Sequence, residues 1–283
     1  MNKQQSYMKE YLSAPLPFVG QKRMFASEFK KILKQYPDDA VYVDLFGGSG
    51  LLSHITKREK PDATVIYNDY DNYCKRLKNI PRTNQLLSDF RQIAAGLPRN
   101  KLIPKEVQMK IYGRIEKEEK IWGYVDYITL SSSLLFSMKY KTSLEGLKKE
   151  SLYNNIRKSG YQQAGDYLDG LTVTHEDYKD VFNRYKEIPN TVFLVDPPYL
   201  STDVGTYTMN WKLADYLDVL AILQAHPFIY FTSNKSQILE LCDWMGKHPG
   251  MGNPFQNAAI ATFNARMNYN AFYTDMMLYT HTV

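Results

Sequence analysis

Apolar positions along the chain gather into short runs that end in polar or glycine-bearing turns. Residues 40–45 (AVYVDL), 63–68 (ATVIYN) and 191–195 (TVFLV) are each apolar for several residues in succession, the pattern of strands buried on both faces. Residues 227–232 (PFIYFT) repeat it, and 171–175 (LTVTH) do so more weakly. Periodicity near 3.6 predicts helices over residues 22–36, 50–58, 71–79 and 212–224. Strands alternating with helices predict an α/β fold around a mostly parallel sheet. At the carboxyl end, residues 259–283 hold two β-prone runs around an asparagine-rich turn, which predicts a terminal hairpin at the sheet edge.

The spacing of these units is uneven. Between residues 68 and 171 there is room for about three βαβ steps, yet no buried strand is visible. The stretch reads as helices and polar loops, which predicts a mainly helical insert over residues 80–168 within a domain made of residues 1–79 and 169–283. Apolar residues at 44% and charged residues at 23% are ordinary globular usage and exclude a disordered chain. The net charge is only +5, but residues 97–168 alone hold 13 Lys and Arg against 8 Asp and Glu. The whole excess therefore sits in the insert, interleaved with seven of the chain's 23 tyrosines, rings that can stack while their hydroxyls stay wet. Lys101, Lys105, Lys110, Arg114, Lys139, Lys141, Arg157 and Lys158 are candidates for phosphate contacts there.

Two cysteines, Cys74 and Cys242, make neither a disulfide framework nor a four-cysteine zinc site. The five histidines are scattered, so no metal is expected. The opening residues MNKQQSYMKEYL lack an apolar run after their charges, and no stretch reaches about 18 apolar residues. A reducing cytoplasm, without secretion or a membrane span, is the expected setting.

Asp44-Leu45-Phe46-Gly47-Gly48-Ser49-Gly50 follows the first predicted strand and opens a helix. Glycines there allow a sharp turn and let a ligand approach the backbone amides and the helix start. Asp69 closes the second strand, where a carboxylate can accept from both hydroxyls of a ribose. The pair points to a nucleoside cofactor, with NAD and S-adenosylmethionine both fitting.

Asp196-Pro197-Pro198-Tyr199, directly after residues 191–195, narrows the choice. Two prolines fix φ and donate no N–H, leaving a stiff turn that holds acceptors in place. Methylation of an exocyclic amine conjugated to a heteroaromatic ring needs such a turn, because the nitrogen lone pair is delocalised. With the Asp196 carboxylate and the Pro197 carbonyl accepting its hydrogens, the nitrogen can pyramidalise toward a methyl group while Tyr199 stacks on the ring.

In the order of these motifs the sequence resembles the Dam-type DNA adenine-N6 methyltransferases, in which a cofactor loop precedes the recognition region and the catalytic turn follows it. Pro17-Phe18-Val19-Gly20-Gln21-Lys22 is similar to the family's W-A-G-G-K segment, with Phe18 in place of tryptophan and Gln21 in place of glycine. The likeness implies that Phe18 and Lys22 touch the cofactor. Asp44, Phe46, Gly47, Gly48 and Gly50 match its acid-x-F-x-G-x-G loop, and Asp69 its ribose-binding acid. Residues 173–178 resemble its G-D-F strand end, which implies Asp177 and Tyr178 against the cofactor adenine, although His175-Glu176 stands where a glycine is usual. Phe231-Thr232-Ser233-Asn234 resembles the strand end beyond the catalytic turn, and residues 273–279 the closing strand. The resemblance implies a Rossmann-like catalytic domain, S-adenosylmethionine as donor, and catalytic Asp196, Pro197, Pro198 and Tyr199, with Asp196 also beside the cofactor. It further implies residues 80–168 as target-recognition insert, and a flipped adenine in duplex DNA as substrate, with or without a cognate restriction endonuclease. An RNA adenine or a protein glutamine amide is the alternative acceptor, and a DNA-binding relic with a dead site is a non-enzymatic one. Aspartate rather than asparagine at 196 and the basic insert weigh against the glutamine.

Overall fold

The computed structural model describes residues 10–136, 139–200, 211–268 and 271–280. A 3-10 turn (Lys22–Met24) leads into α1 (Ala26–Leu33), β1 (Val41–Asp44), α2 (Leu51–Glu59), β2 (Thr64–Asn68) and α3 (Tyr73–Lys78). Four helices follow without an intervening strand: α4 (Ile80–Ile93), α5 (Lys105–Trp122), α6 (Tyr127–Leu134) and α7 (Leu144–Lys148). Then come β3 (Thr172–Thr174), α8 (Tyr178–Tyr185), β4 (Thr191–Val195), α9 (Leu213–Ala225), β5 (Phe228–Ser233) and α10 (Ile238–Gly246). A hairpin of β6 (Ala259–Asn268) and β7 (Ala271–Tyr279) ends the chain. The first nine residues of the amino-terminal stretch, the hairpin turn at 269–270 and residues 281–283 lie outside the described residues.

The seven strands form one sheet in the order β3-β2-β1-β4-β5-β7-β6. β1 to β5 pair in parallel, while β7 runs antiparallel to β5 and β6 closes the edge. This is the α/β sheet with a terminal hairpin that the sequence pattern implies. Alternation along the strands divides the core into two layers. Val43, Phe193, Val195 and Tyr230 pack with Tyr216, Val219, Leu220 and Leu223 of α9. Tyr42, Val192, Leu194, Ile229 and Phe231 pack with Ala26, Phe29, Ile32 and Leu33 of α1, whose spacing puts them on one helical face. β1 has β2 on one side and β4 on the other, so the chain reverses its direction of travel across the sheet there. In open parallel sheets a crevice for ligands opens outside the carboxyl ends at such a point.

Residues 22–36 do not form one continuous α-helix. The first turn is 3-10, with Phe25 N–H donating to the Lys22 carbonyl at 2.9 Å, and α-helical bonding begins with Phe29 N–H on the Phe25 carbonyl. Lys22 in that turn is buried, which a solvated helix lysine would not be.

The chain divides into two compact units. Gly20–Tyr73 and Asp166–Val283, with the amino-terminal residues to Ser13, make the sheet unit. The second comprises Cys74–Gly165 together with Ala14–Val19. Its bounds thus differ from the expected 80–168, because it takes in most of α3 and a short amino-terminal segment. A buried cation explains the segment's membership. Arg76 of α3 donates from Nη2 to the Pro17 carbonyl (2.7 Å) and to Thr129 Oγ1 (3.1 Å), and from Nε to Asp126 Oδ1 (3.1 Å). Asp126 also caps α6, accepting from Thr129 N–H at 3.0 Å. The unit's own core joins Leu87 and Phe90 of α4, Ile111 and Ile115 of α5, and Leu130 and Leu134 of α6.

Removing one member of a buried ion pair leaves the other charge without its counter-ion, at about 3–5 kcal/mol. Asp126→Ala is expected to lower unfolding free energy in urea by that amount, since both side chains are almost wholly buried. A loss under about 1 kcal/mol would show that the pair does not hold the unit together.

Candidate active site

At the carboxyl end of β1 the chain makes the glycine turn into α2. Gly50 adopts φ +72°, a left-handed conformation that favours glycine, and its N–H donates to the Gly47 carbonyl at 2.7 Å. Gly47 is required for a different reason. A Cβ there would lie 2.3 Å from the Tyr67 ring and 2.8 Å from the Asn68 carbonyl. The Tyr67 hydroxyl shares its one hydrogen between the Gly48 carbonyl (2.9 Å) and Asp69 Oδ1 (3.0 Å), joining the turn to the acid at the end of β2. Asp69 Oδ1 also accepts from Tyr73 N–H at 2.5 Å, and its carbonyl meets His175 Nδ1. The buried Asp69 carboxylate is thereby fixed in orientation.

Asp44 ends β1 fully buried. Ser53 of α2 donates to its Oδ2 at 2.6 Å, while Oδ1 accepts no hydrogen bond among the described residues. Burial pushes the Asp44 carboxyl up to about 7. Ser53, the Phe46 amide and Lys22 act against that, and the Asp196 charge acts with it.

Asp196 follows β4, the strand beside β1. Its Oδ2 lies 2.6 Å from Lys22 Nζ, and the ammonium also donates to the Gly20 carbonyl at 2.9 Å. Lys22 Nζ stands 5.6 Å from the centre of the Tyr199 ring and 5.9 Å from that of Phe231. Burial raises the proton affinity of Asp196, and Lys22 opposes it. Pro197 and Pro198 are buried and Tyr199 half-buried. The arrangement can hold a carboxylate ionised in a mostly dry corner next to an aromatic face.

Against this geometry the comparisons with known proteins can be set. Residues 18–220 match the family model of the D12 class N6 adenine-specific DNA methyltransferases. The chain belongs to that family. A Haemophilus influenzae protein named "Putative methyltransferase" is 36% identical over 282 residues, covering 96% of this chain and 93% of its own. Among solved structures, a precorrin-6y C5,15-methyltransferase from Geobacter metallireducens is 7% identical with a TM-score of 0.38, covering 97% of this chain and all of its own. An rRNA methylase from Streptococcus thermophilus is 8% identical with a TM-score of 0.34, covering 93% and 99%. Likenesses that slight carry no argument about this chain.

In this D12-class chain the sheet unit brings Lys22, Asp44, Phe46, Gly47, Gly48, Gly50, Asp69, Asp177, Tyr178 and Asp196 to Tyr199 to the carboxyl ends of β1, β2, β3 and β4 or the turns just beyond. Phe46 packs on Tyr178 and Trp211, ring centres 5.0 and 5.5 Å away, and Tyr178 stacks on Trp211 at 5.5 Å. Asp177 caps α8, its Oδ1 accepting from Lys179 N–H at 2.9 Å, a structural duty that accounts for an aspartate there. Phe18 lies half-buried in the other unit's segment Ala14–Val19, next to the Pro17 carbonyl that Arg76 holds. Sequence reading passed over three residues that shape the site. Tyr67 sits two residues before Asp69, hence on the same strand face. Ser53 lies one helical turn past Gly50. Asn68 bridges strand ends, its Nδ2 donating to the Leu45 carbonyl (3.1 Å) and to the Glu176 carbonyl (2.9 Å). The first two have a spacing signal, and Asn68 has none.

Among the described residues no group of three or more His, Cys, Asp or Glu side chains could hold a metal ion, and no helix is long and apolar enough to cross a membrane.

A buried acid whose folded pKa is raised contributes stability that is full at low pH and is lost as pH rises. For Asp44 the window runs from about 4, its unfolded value, to about 7. The loss is on the order of 4 kcal/mol. Asp44→Asn is therefore expected to flatten urea stability between pH 4 and 7 and to exceed the wild type at pH 8, without ligand. An unchanged pH slope would contradict the assignment.

Proposed function

We propose that the protein transfers a methyl group from S-adenosylmethionine to the N6 amine of an adenine flipped out of duplex DNA. The observation that carries this reading is the Asp196-Pro197-Pro198-Tyr199 turn at the end of β4, its carboxylate paired with Lys22 at 2.6 Å, next to the glycine turn of β1.

The residues present fit the donor. The Tyr67 ring and the Asn68 carbonyl leave no room for a side chain at Gly47, Asp69 is fixed at the end of β2, and Asp44 Oδ1 is a buried acceptor without a donor among the described residues. Asp44, the Gly47–Gly50 turn, Asp69 and Lys22 would hold it, with Phe46 and Tyr178 as apolar walls and Asp177 as a further contact that the family resemblance supports. When bound, it supplies a methyl group on a sulfonium that departs as a neutral thioether.

Asp196 and the Pro197 carbonyl would accept the two hydrogens of the target amine, drawing its lone pair out of conjugation. Pro197 and Pro198 keep those acceptors from swinging away, so they are aimed before positive charge grows on nitrogen. Lys22 works against the burial that favours protonation of Asp196, and a neutral carboxyl would be a poorer acceptor. The proton affinity that burial gives Asp196 suits it to take a proton from N6 as the bond to carbon forms. Tyr199 would stack on the base, a contact of about 1–3 kcal/mol, which offsets part of the few kcal/mol that flipping costs.

The second unit is the proposed DNA-recognition part. Not every basic residue there is available for phosphates. Arg114 is held by Asp89 (2.6 Å) and Glu118 (2.9 Å), and Lys139 and Lys141 both pair with Glu150 (2.7 and 2.9 Å). Lys101, Lys105, Lys110 and Lys158 are exposed and in no ion pair among the described residues, which leaves them as the stronger candidates.

Incubation with methyl-labelled S-adenosylmethionine and separate duplex DNA, RNA and protein acceptors tests the reading. Label is expected in DNA with the wild type, and at least about 100-fold less with Asp196→Ala, a typical cost of losing one preorganised acceptor. Label only in RNA or protein would replace the substrate, and equal labelling by Asp196→Ala would remove Asp196 from the chemistry.

A further inference from the structure

Asp275 stands in β7 directly opposite Ser233 of β5, the strand next to β4. Opposed residues of an antiparallel pair point to one face, and so does the pair two positions along. That pair is Phe231 and Met277, both buried in the layer that α1 covers. Asp275 therefore lies on the face over which Lys22 reaches, with the ammonium 5.9 Å from the Phe231 ring centre. Asp275 is half-buried, yet among the described residues nothing donates a hydrogen bond to its carboxylate and no ion pair closes on it within 4 Å. A partly buried charge without a partner is uncommon and asks for a reason.

The charges around it supply one. Burial pushes the Asp275 carboxyl up, Lys22 pulls it down, the Asp196 charge pushes it up, and Lys235, whose ammonium lies 4.4 Å over the Tyr273 ring, pulls it down. Asp196 and Asp275 thus both feel Lys22. The lysine has three N–H donors, and the Gly20 carbonyl and Asp196 engage two of them. Its four-carbon stem can swing the charge a short way without moving the backbone.

We propose that Asp275 is a positioning residue of this site, a second carboxylate for Lys22 that takes up the ammonium when Asp196 turns to an incoming amine. Resting on the methyl-transfer reading above, this resolves a competition. Asp196 cannot give its lone pairs fully to a substrate nitrogen while Lys22 sits on Oδ2, and releasing Lys22 with no counter-ion would leave a buried charge unpaired.

The test has two arms on the full-length protein. Without substrate, carboxyl carbon-13 NMR follows the Asp275 titration in the wild type and in Lys22→Met. Loss of the lysine is expected to move the Asp275 midpoint upward by about half a pH unit or more. An unmoved midpoint overturns the proposal whatever the enzyme's activity. With S-adenosylmethionine and duplex DNA, Asp275→Asn is expected to slow single-turnover transfer by about tenfold with KM within about twofold, and Asp275→Glu to restore most of the rate. In a Lys22→Met background, Asp275→Asn should have little further effect, since the residue acts through the lysine. Wild-type rates in Asp275→Asn, or a full additive loss in the double variant, overturn the proposal alone. A wild type that methylates no DNA overturns the methyl-transfer reading instead, and the titration then decides whether Lys22 serves both carboxylates.

Discussion

A buried contact of 2.6 Å between Lys22 Nζ and Asp196 Oδ2 is the constraint around which the sheet unit's site is organised. Burial alone would favour the neutral acid at position 196, and a neutral carboxyl is a poorer acceptor for an amine. The lysine opposes that effect, and a 3-10 turn delivers it from the start of the chain into the sheet face. Its charge spreads further, acting on Asp44 and Asp275 as well as Asp196.

The sheet topology explains why these groups meet. Asp44, Asp196 and Asp275 come from β1, the turn after β4, and β7, remote in sequence but near one end of adjacent parts of the sheet. The strand order switches between β1 and β4, the position at which open parallel sheets generally place a ligand crevice. Tyr67 links the glycine turn to the acid at the end of β2, touching the turn through the Gly48 carbonyl and the acid through Asp69 Oδ1. Glycine at 47 and tyrosine at 67 are thus one structural decision, since the ring occupies the space a side chain at 47 would need.

Much of this was legible in the chain. β1, β4 and β5 are almost wholly buried and therefore read as largely apolar runs, and β1 and β4 lead directly to the candidate residues Asp44 and Asp196. The glycine turn and the two prolines carry backbone constraints that local sequence displays directly. Contacts between distant side chains are not displayed that way. Nothing near Asp275 marks it as a neighbour of Lys22, and nothing near Arg114, Lys139 or Lys141 shows that acidic partners hold them. The tyrosine excess was also only half readable. Tyr42 and Tyr67 are fully buried, with hydroxyls on the Pro37 and Gly48 carbonyls, so part of the excess serves the core and not a wet stacking surface.

The most direct measurement is of the product. DNA from a host lacking its own adenine methylation, expressing this chain, can be digested to nucleosides and examined by mass spectrometry. The account predicts N6-methyl-2′-deoxyadenosine with the wild type and none with Asp196→Ala. Methylated cytosine in its place, or unmodified DNA beside folded protein, would contradict it.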